Sequence, residues 1–593
     1  MRGLLRNTGV QLALLLIISY LVLVPRLGQV GLRGTEGHRV APAIAMLRTG
    51  ELMHPQMFDA TYTRKPPGAI WGIAASLKFS GALEHPERLE RSARYGSVVI
   101  TVLMALAAYF FSARWFGKRA ALAAGMVQLL TPVVWISART AEIEPYNNAV
   151  TAVSAWLLVD LTVRKQWRPE IVSLFLGLLT GLFLSALLFC KGPASLPAIL
   201  GLLLAVRLLP RERRKLLTSG LWLAVVTAVA AGVWLQYELS HPPADQYAAG
   251  GARTWSHLAN FLWHWRDLPG ILTLGPAALL MALPMSLPLL YIFRKDFAPH
   301  GKGTRSYSIA RTLALGSILG LAIEMLIGIH NPRYALPCVI FLSPLSAWLI
   351  ESYAQGERKK EVERFVAFTG FALTTGLLAA ALVQLIANKQ TVAEVPLLMS
   401  PMFSALGVLA GQLIIYTWLK PGSVINRNYA VAIVGLLALN AGWRTQIEVR
   451  EDSRSAKPFS SVLAESLPGG AVVWSNDVIE ACPELLIYAQ LTRDDISFLW
   501  RKDLIMQGEL PEPGGFLLLR SHEYRKRYRD RGKGGYLTAV AAFTPPKHPS
   551  VLFHVEAVAA EGEVVDPFEK LPADEGTSRG IRKKSPGNQG STN

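Results

Sequence analysis

Apolar runs of about 20 residues recur from Gly9 almost to Trp443, and they constrain the fold more than any other feature of the sequence. A helix rises about 1.5 Å per residue, so each run can cross a hydrocarbon core of about 30 Å. Only 17% of the residues are charged, against roughly 25% in an ordinary globular protein. The sequence therefore predicts an all-α polytopic membrane bundle and excludes a soluble fold.

The apolar windows predict about thirteen membrane-spanning helices. The first follows a short basic segment and lacks a convincing small-residue cleavage site, so we expect it to be retained rather than removed as a signal peptide. The predicted ranges are 9–28, 94–113, 119–136, 146–163, 170–189, 193–209, 216–236, 270–293, 307–328, 335–352, 365–387, 398–419 and 428–444.

Lys and Arg cluster in alternate short connections, which by the positive-inside rule lie in the cytoplasm together with the N-terminus. The net charge of +18 follows from this pattern, so it indicates membrane orientation and no nucleic-acid partner. The long connections then lie outside: 29–93, 137–146, 237–269, 329–334 and everything after about 445. Long loops on one face suggest that the chemistry is there.

We predict three regions: residues 1–445 as the transmembrane domain with the external loop 29–93, residues 446–560 as a small external α/β or α+β domain, and residues 561–593 as a disordered tail. In the external domain we expect strands near 470–474, 515–519 and 551–555 and helices near 459–466 and 477–488. The tail is acidic and then basic and polar, which is typical of disorder.

The first external loop carries an acid, an amphipathic stretch and a basic turn, in that order. Glu36 precedes Val40–Leu47, whose apolar positions predict a helix along the membrane surface. The loop then reaches Lys65-Pro66-Pro67. Glu36 is a candidate general base, and the alternative is a solvated acid favoured by the start of a helix.

Further charges fall on the same predicted face. Glu142 and Glu144 lie just before a predicted helix, and Pro145 favours a helix start at this point. Lys191 and Arg333 follow the ends of two predicted membrane-spanning helices. Cations at membrane depth usually face a cavity or a partner, so Lys65, Lys191 and Arg333 are predicted to hold an anion such as a lipid phosphate. Snorkelling of each cation to the interface is the alternative.

These residues resemble the protein O-mannosyltransferase superfamily, and within it bacterial enzymes similar to the lipid A aminoarabinose transferase. The resemblance covers roughly residues 1–445. It is carried by Thr35-Glu36-Gly37-His38-Arg39, Ala45-Met46-Leu47-Arg48-Thr49-Gly50-Glu51, Lys65-Pro66-Pro67 with Trp71, Thr140-Ala141-Glu142-Ile143-Glu144-Pro145, Cys190-Lys191-Gly192-Pro193 and Pro332-Arg333-Tyr334-Ala335-Leu336-Pro337.

The resemblance implies the GT-C fold and a glycosyltransferase that uses a polyprenyl-phosphate sugar donor on the periplasmic face of the bacterial inner membrane. It implies Glu36 and Glu144 as catalytic acids and Lys65, Arg333 and Lys191 as ligands of the donor phosphate. Supporting roles fall to Arg39, Glu142 and Tyr334. Family members often carry an Asp-Glu pair in the first loop, whereas this chain has Thr35 before Glu36.

Inverting transfer by this scheme needs no cofactor, because fixed cations stabilise the leaving phosphate. A divalent metal is not indicated, since no histidines beyond the loosely spaced His257 and His264 suggest ligand spacing. The cysteines Cys190, Cys338 and Cys482 are too few and too scattered for a disulfide framework or a zinc site. The acceptor is a lipid, a glycan or a protein, and membrane lipids are partners.

Two other classes stay open. A transporter also has many helices and intramembrane charges such as Glu324 and Lys191, but the two halves of the chain show no clear repeat. A non-catalytic lipid-binding homologue is the other alternative, prompted by Thr35 at the Asp position.

Overall fold

A computed structural model provides the fold of the chain. It describes residues 7–62, 65–163, 169–210, 218–241, 268–293, 304–329, 331–354, 455–543, 550–557 and 566–568, with the isolated positions 371, 409, 412 and 413. The chain divides into two compact units. The first comprises Met1–Val30, Pro42–Met57 and Thr61–Arg450, and the second comprises Gly31–Ala41, Phe58–Ala60 and Glu451–Asn593.

The described part of the chain up to residue 354 is almost entirely helical. The short strands β1 (Gln56–Met57) and β2 (Ala60–Thr61) interrupt it. The helices are α1 (Thr8–Leu23), α2 (Gly37–Thr49), α3 (Gly68–Phe79), α4 (Leu89–Phe116), α5 (Lys118–Leu130), α6 (Pro132–Ala138), α7 (Glu144–Thr162), α8 (Glu170–Lys191), α9 (Leu196–Arg207), α10 (Ser219–Ser240), α11 (Leu268–Met281), α12 (Leu289–Ile292), α13 (Arg305–Ile327) and α14 (Pro344–Ala354).

Four stretches of helix among the described residues are long and apolar enough to cross a membrane: Pro86–Phe116, Glu170–Arg207, Ser219–Ser240 and Arg305–Ile327. The pair Ala120–Leu130 and Pro132–Ala138, bent by 60°, is a fifth if it counts as one span. The multi-pass membrane architecture agrees with the sequence. The total of thirteen stays a prediction, because the windows 365–387, 398–419 and 428–444 lie almost wholly outside the described residues.

Small residues allow the helices of the first unit to pack closely. Gly201 of α9 meets the backbone of Gly316 and Gly320 in α13, where any side chain would overlap the neighbouring helix. Glycines four residues apart are a common device for close contact between membrane helices, whose association gains little from the hydrophobic effect in lipid. On the outer faces of α8 and α10, large apolar side chains such as Phe175 and Val233 are exposed. Lipid contact explains that exposure.

Buried side chains of α7 (Glu144–Thr162) and α4 donate hydrogen bonds to backbone carbonyls elsewhere in the first unit. Trp156 donates a hydrogen bond from Nε1 to the carbonyl of Phe341 at 2.9 Å. In α4, the buried guanidinium of Arg94 donates to the carbonyls of Leu27 and Val30, both at 2.8 Å. The segment that follows α1 is therefore held by a buried side chain of α4.

Helix α3 (Gly68–Phe79) was not predicted from the sequence, because residues 29–93 were assigned to one external loop. Its 12 residues are too few to cross a membrane. Ala69, Ile70 and Ile73 are buried, so the helix is held by packing on one side of the unit.

The second unit contains a five-stranded mixed sheet in the order β4-β3-β5-β7-β6. Strand β3 runs parallel to β4 and β5, whereas β7 runs antiparallel to β5 and β6. The strands are β3 (Val472–Ser475), β4 (Ser497–Trp500), β5 (Phe516–Arg520), β6 (Leu537–Phe543) and β7 (Ser550–Val555), and the helices are α15 (Lys457–Glu465), α16 (Asp477–Ala481), α17 (Pro483–Thr492), α18 (Lys502–Gln507) and α19 (Ser521–Glu523).

The three strands predicted from the sequence correspond to β3, β5 and β7, and the predicted helices correspond to α15 and to α16 with α17. Strands β4 and β6 were missed. The core between the sheet and its helices is apolar, with Leu517, Tyr528 and Phe553 almost fully buried. The tail after residue 568 lies outside the described residues, so its disorder stays a prediction, as do the domain boundaries at 445/446 and 560/561.

Candidate active site

Helix α7 begins at Glu144, with Pro145 in its first turn as the sequence predicted. Proline suits this position because its ring presets the helical φ angle and the backbone N–H that it lacks would have no partner within the helix. Glu144 lies near the end of α8 and near the 331–334 turn. Its Oε1 atom is 3.4 Å from Nζ of Lys191 and 3.1 Å from Nη2 of Arg333. The structure therefore brings three of the predicted site residues together.

Lys191 is positioned by the end of α8 and by hydrogen bonds just beyond it. Gly192 follows with a φ of 64°, a left-handed conformation that ends the helix at little cost for glycine. The hydroxyl of Ser195 then donates to Oδ1 of Asn147 at 3.2 Å and accepts from Thr151 at 2.9 Å. Asn147 lies one turn after Glu144 on α7. The same helix therefore carries Glu144 and contacts the connection that follows Lys191.

The 331–334 turn supplies a cation and a ring to the same place. The ammonium of Lys191 lies 5.1 Å from the ring centroid of Tyr334, within the range of a cation–π interaction. Arg333 is half-exposed at 50% of its side-chain area, whereas the side chain of Glu144 is only 14% exposed. The buried Glu142 also acts electrostatically on Arg333. Arg333 can therefore reach solvent or a ligand while remaining paired.

The basic turn of the first loop ends near the same end of α8. Gly68, the first residue of α3, packs so closely on the backbone of Phe189 that a Cβ there would lie 2.8 Å from the carbonyl oxygen. The ring of Trp71 lies 5.5 Å from that of Phe189. Lys65 is partly buried three residues before Gly68. The Lys65-Pro66-Pro67 turn is thus anchored two residues from Lys191.

Glu324 lies in the last turns of α13. The sequence led us to interpret it as a structural residue or, in a transporter, as a coupling residue. It is 1% exposed. Neither of its carboxylate oxygens has a hydrogen-bond partner among the residues that the structure describes, and Lys191 interacts with it electrostatically. Lys191 therefore interacts with two acids, Glu144 and Glu324.

Glu36 belongs to the second unit. Its carbonyl accepts the backbone N–H groups of Arg39 and Val40, both at 2.9 Å, so it stands directly before α2 as predicted. Its carboxylate accepts the N–H of Arg33 at 3.0 Å. The residue is fully buried, which contradicts the alternative of a solvated acid at a helix start, and Arg39 is buried one turn later.

A second carboxylate of the same unit lies beside Glu36, and the sequence gave no sign of it. A Cβ on Gly37 would lie 2.8 Å from Oε2 of Glu484, in the first turn of α17. Burial raises the pKa of Glu484 to about 7, and the negative charge of Glu36 adds to this rise.

The structure thus gathers Glu144, Lys191, Arg333, Tyr334 and Glu142 at one end of α7, and Glu36 and Arg39 in the second unit with Glu484. Their roles, and a joint site formed by Glu36 with Glu144, stay predictions. Among the described residues no group of three or more His, Cys, Asp and Glu side chains is arranged to hold a metal. His257, His264 and His330 lie outside that part of the chain.

The family model described as dolichyl-phosphate-mannose-protein mannosyltransferase matches residues 64–236. This range includes Lys65, Glu142, Glu144 and Lys191. No curated protein sequence that was compared with the chain matches it significantly.

Two solved structures of one protein share the fold. ArnT from Cupriavidus metallidurans bound to undecaprenyl phosphate aligns with a TM-score of 0.65 at 14% identity, over 94% of this chain and 100% of ArnT. The apo form of the same protein aligns with a TM-score of 0.65 at 14% identity, over 93% and 99%. The predicted resemblance to the mannosyltransferase superfamily agrees with the family match over residues 64–236, and the chain has the fold of ArnT, as expected for the predicted GT-C fold.

Proposed function

We propose that the chain is an inverting membrane glycosyltransferase that moves a sugar from a polyprenyl-phosphate donor to an acceptor on the external face of the membrane. The observation that carries this proposal is the sharing of one Glu144 oxygen by Lys191 and Arg333. Two cations converge there on a single carboxylate, and one of them is half-exposed. Such a pair can accept an incoming phosphate without losing all of its existing partners.

In this proposal the donor phosphate binds between Arg333, Lys191 and Lys65. When the bond between the anomeric carbon and the phosphate oxygen breaks, the electron pair leaves with the phosphate and negative charge grows on it. Cations that are already positioned stabilise that charge more effectively than water, which would have to reorganise. Arg333 is suited to this role because its planar guanidinium can bind two phosphate oxygens at once.

Glu36 is the proposed base. Its carboxylate takes the proton from the acceptor hydroxyl or amine, whose lone pair attacks the anomeric carbon from the side opposite the phosphate. Glu144 orients the acceptor or the sugar and keeps Lys191 and Arg333 in place before the donor binds. Transfer then gives an inverted glycoside, a free polyprenyl phosphate and a protonated Glu36.

The comparisons support this proposal at the level of the fold and of the lipid carrier. ArnT of the same fold was solved with undecaprenyl phosphate, which is a polyprenyl phosphate. The acceptor in this chain is proposed only by class: a lipid, a glycan or a protein in the envelope of a bacterial cell. Transfer assays with different donor sugars, rather than the residues of the site, identify the sugar.

The test is transfer from radiolabelled polyprenyl-phosphate sugars to envelope acceptors in proteoliposomes. We expect the wild-type chain to release label from the lipid and Glu36→Gln to release at least about 100-fold less, as for loss of a general base. Glu87→Gln is the control, because it removes an exposed acid of the same predicted loop. Full activity of Glu36→Gln would exclude Glu36 as the base.

Two results would favour the other classes of function. Uptake of solute into sealed vesicles without release of label from any donor indicates a transporter. Saturable binding of polyprenyl phosphate without transfer to any envelope fraction indicates a lipid-binding homologue.

A further inference from the structure

We propose that Glu484 is a positioning residue that holds a proton beside Glu36 and so keeps Glu36 ionised as the base. This inference rests on the proposed function for the role of Glu36. It assigns to the region after residue 451 a direct part in the site, which its sequence alone did not indicate.

The first observation is how the 31–37 segment lies along one face of α17 within the second unit. The backbone N–H of Leu32 donates to the hydroxyl of Tyr488 at 2.7 Å. At the other end of the segment, Gly37 meets Pro483 and Glu484. Glu484 and Tyr488 are four residues apart, so both contacts fall on the same side of the helix. Two points of attachment fix the segment that carries Glu36.

The second observation is the absence of a side chain at the closest approach. A Cβ on Gly37 would lie 2.8 Å from Oε2 of Glu484 and 3.0 Å from its backbone nitrogen. Contacts this short force one of the groups to move. Glycine at position 37 therefore allows the residue next to Glu36 to touch the carboxyl group of Glu484.

The third observation is the state of that carboxyl group. Glu484 is 8% exposed, and its Oε2 atom has no hydrogen-bond partner among the described residues. The Cys482 thiol and the residue's own backbone N–H hydrogen-bond to the carboxyl group. An ionised carboxylate with one oxygen unpartnered is still costly to bury, whereas a protonated one is much less so. The start of a helix favours the ionised form. Burial outweighs that effect, because the pKa of Glu484 rises to about 7.

The titratable groups around the pair come from three elements. The thiol of Cys482 interacts with the Glu484 carboxyl group, and burial raises the pKa of that thiol well above its usual value. Arg520, at the end of β5, acts electrostatically on Cys482. On the side of the first loop, His38 and Arg39 follow Glu36 in the first turn of α2, and both are buried.

Two adjacent buried carboxyl groups repel each other when both are ionised. They therefore lose their two protons in separate steps, and each step is a property of the pair rather than of one residue. Near neutral pH the pair carries one charge. Glu36 is then the ionised member, because its carboxylate accepts the N–H of Arg33 at 3.0 Å, whereas the Oε2 atom of Glu484 has no hydrogen-bond partner among the described residues. Above about pH 7 the second proton leaves, and repulsion weakens the attachment of the 31–37 segment.

The experiment compares the pH dependence of transfer and of thermal unfolding in the wild type, Glu484→Gln and Glu36→Gln. Glutamine reproduces a permanently protonated Glu484. We expect wild-type transfer to fall about tenfold between about pH 6.5 and 8, since one pH unit above a pKa leaves about a tenth of the group protonated. Glu484→Gln should lose less than about twofold over the same range.

Unfolding in detergent gives a reading that does not depend on activity. A pKa raised on folding stabilises the protein below the pKa of the unfolded chain, and this stability is lost as the pH rises through about 7. We expect this fall in melting temperature in the wild type and not in Glu484→Gln. In Glu36→Gln it should move to lower pH, because the repelling charge is gone.

Glu480→Gln is the control, because Glu480 lies on the neighbouring helix α16 and pairs with Lys502. It should retain the wild-type profiles. Melting profiles of Glu484→Gln and Glu36→Gln that both match the wild-type profile would overturn the proposal. If Glu484→Gln does not accumulate, the profile of Glu36→Gln alone decides. An active Glu36→Gln with a displaced melting profile would instead reject Glu36 as the base and leave the carboxyl pair in place.

Discussion

Helix α7 carries one carboxylate at each end, about 24 Å apart for 16 residues of helix, and each is paired with two cations. At the first end, Lys191 and Arg333 share a single oxygen of Glu144, at 3.4 and 3.1 Å. At the second end, Asp160 uses both of its oxygens: Arg305 lies 2.7 Å from Oδ1 and Arg114 lies 3.1 Å from Oδ2.

Burial separates the two ends further. Asp160 has 2% of its side-chain area exposed and also accepts a hydrogen bond from Nε1 of Trp115 at 3.0 Å. Glu144 is 14% exposed beside an arginine that is 50% exposed. The composition of the two clusters is nearly the same. An arginine is about half-exposed in both clusters, at 47% for Arg114 and 50% for Arg333. What differs is the carboxylate, because Asp160 is enclosed by its partners and Glu144 remains partly open to a ligand.

The largest expected effect is on the open end. Glu144→Gln keeps the shape of the side chain and removes the charge that holds Lys191 and Arg333 together. We expect transfer to fall by about 100- to 1,000-fold, within the range for a group that acts in proton transfer or positions those that do. The melting temperature should fall less than in Asp160→Asn, because the half-exposed Arg333 can turn to solvent and the buried Lys191 still interacts with Glu324. The check is the transfer assay and a melting curve on the same preparation.

The opposite pattern is expected at the enclosed end. Asp160→Asn leaves Arg305 and Arg114 without their shared anion. Because Arg305 is 23% and Arg114 47% exposed, water offsets part of the loss, and we expect a cost of about 1–3 kcal/mol. Unfolding in detergent should therefore begin at a lower temperature, while transfer per folded molecule stays within about twofold of the wild type. If Asp160→Asn instead abolishes transfer without loss of stability, the distinction between an enclosed and an open cluster is wrong.

The residues of the open cluster could be predicted from the sequence because the predicted membrane topology assigns each connecting segment, with its charges, to one side of the membrane. Lys191 and Arg333 were assigned to one side of the membrane and Arg114 and Arg305 to the other, and each pair meets at its own end of α7. The sequence also predicted the start of α7 at Glu144 from Pro145. These predictions use periodicity and charge, which are local properties of the chain.

Other features could not be found in this way. Helix α3 is too short for a hydropathy window that searches for spans, and β4 is a strand of four residues. The contact of Leu32 with Tyr488 joins residues 456 positions apart. Nothing in the local sequence around Glu484 indicates a partner in the first loop, because its position depends on how α17 packs within the second unit. Pairings of this kind require the fold.

The smallest expected effect compares the arginines of the two clusters. Arg333→Lys keeps the charge and loses the planar guanidinium that can bind two phosphate oxygens together. We expect the KM for the donor to rise about tenfold, equivalent to about 1.4 kcal/mol, with kcat reduced less. Arg305→Lys should leave KM unchanged and lower the melting temperature slightly, because Arg305 pairs with Asp160 at the opposite end of α7 from Glu144. Equal effects of both substitutions on KM would mean that the exposure of Arg333 does not reflect donor binding, and the open end of α7 would then be structural like the other.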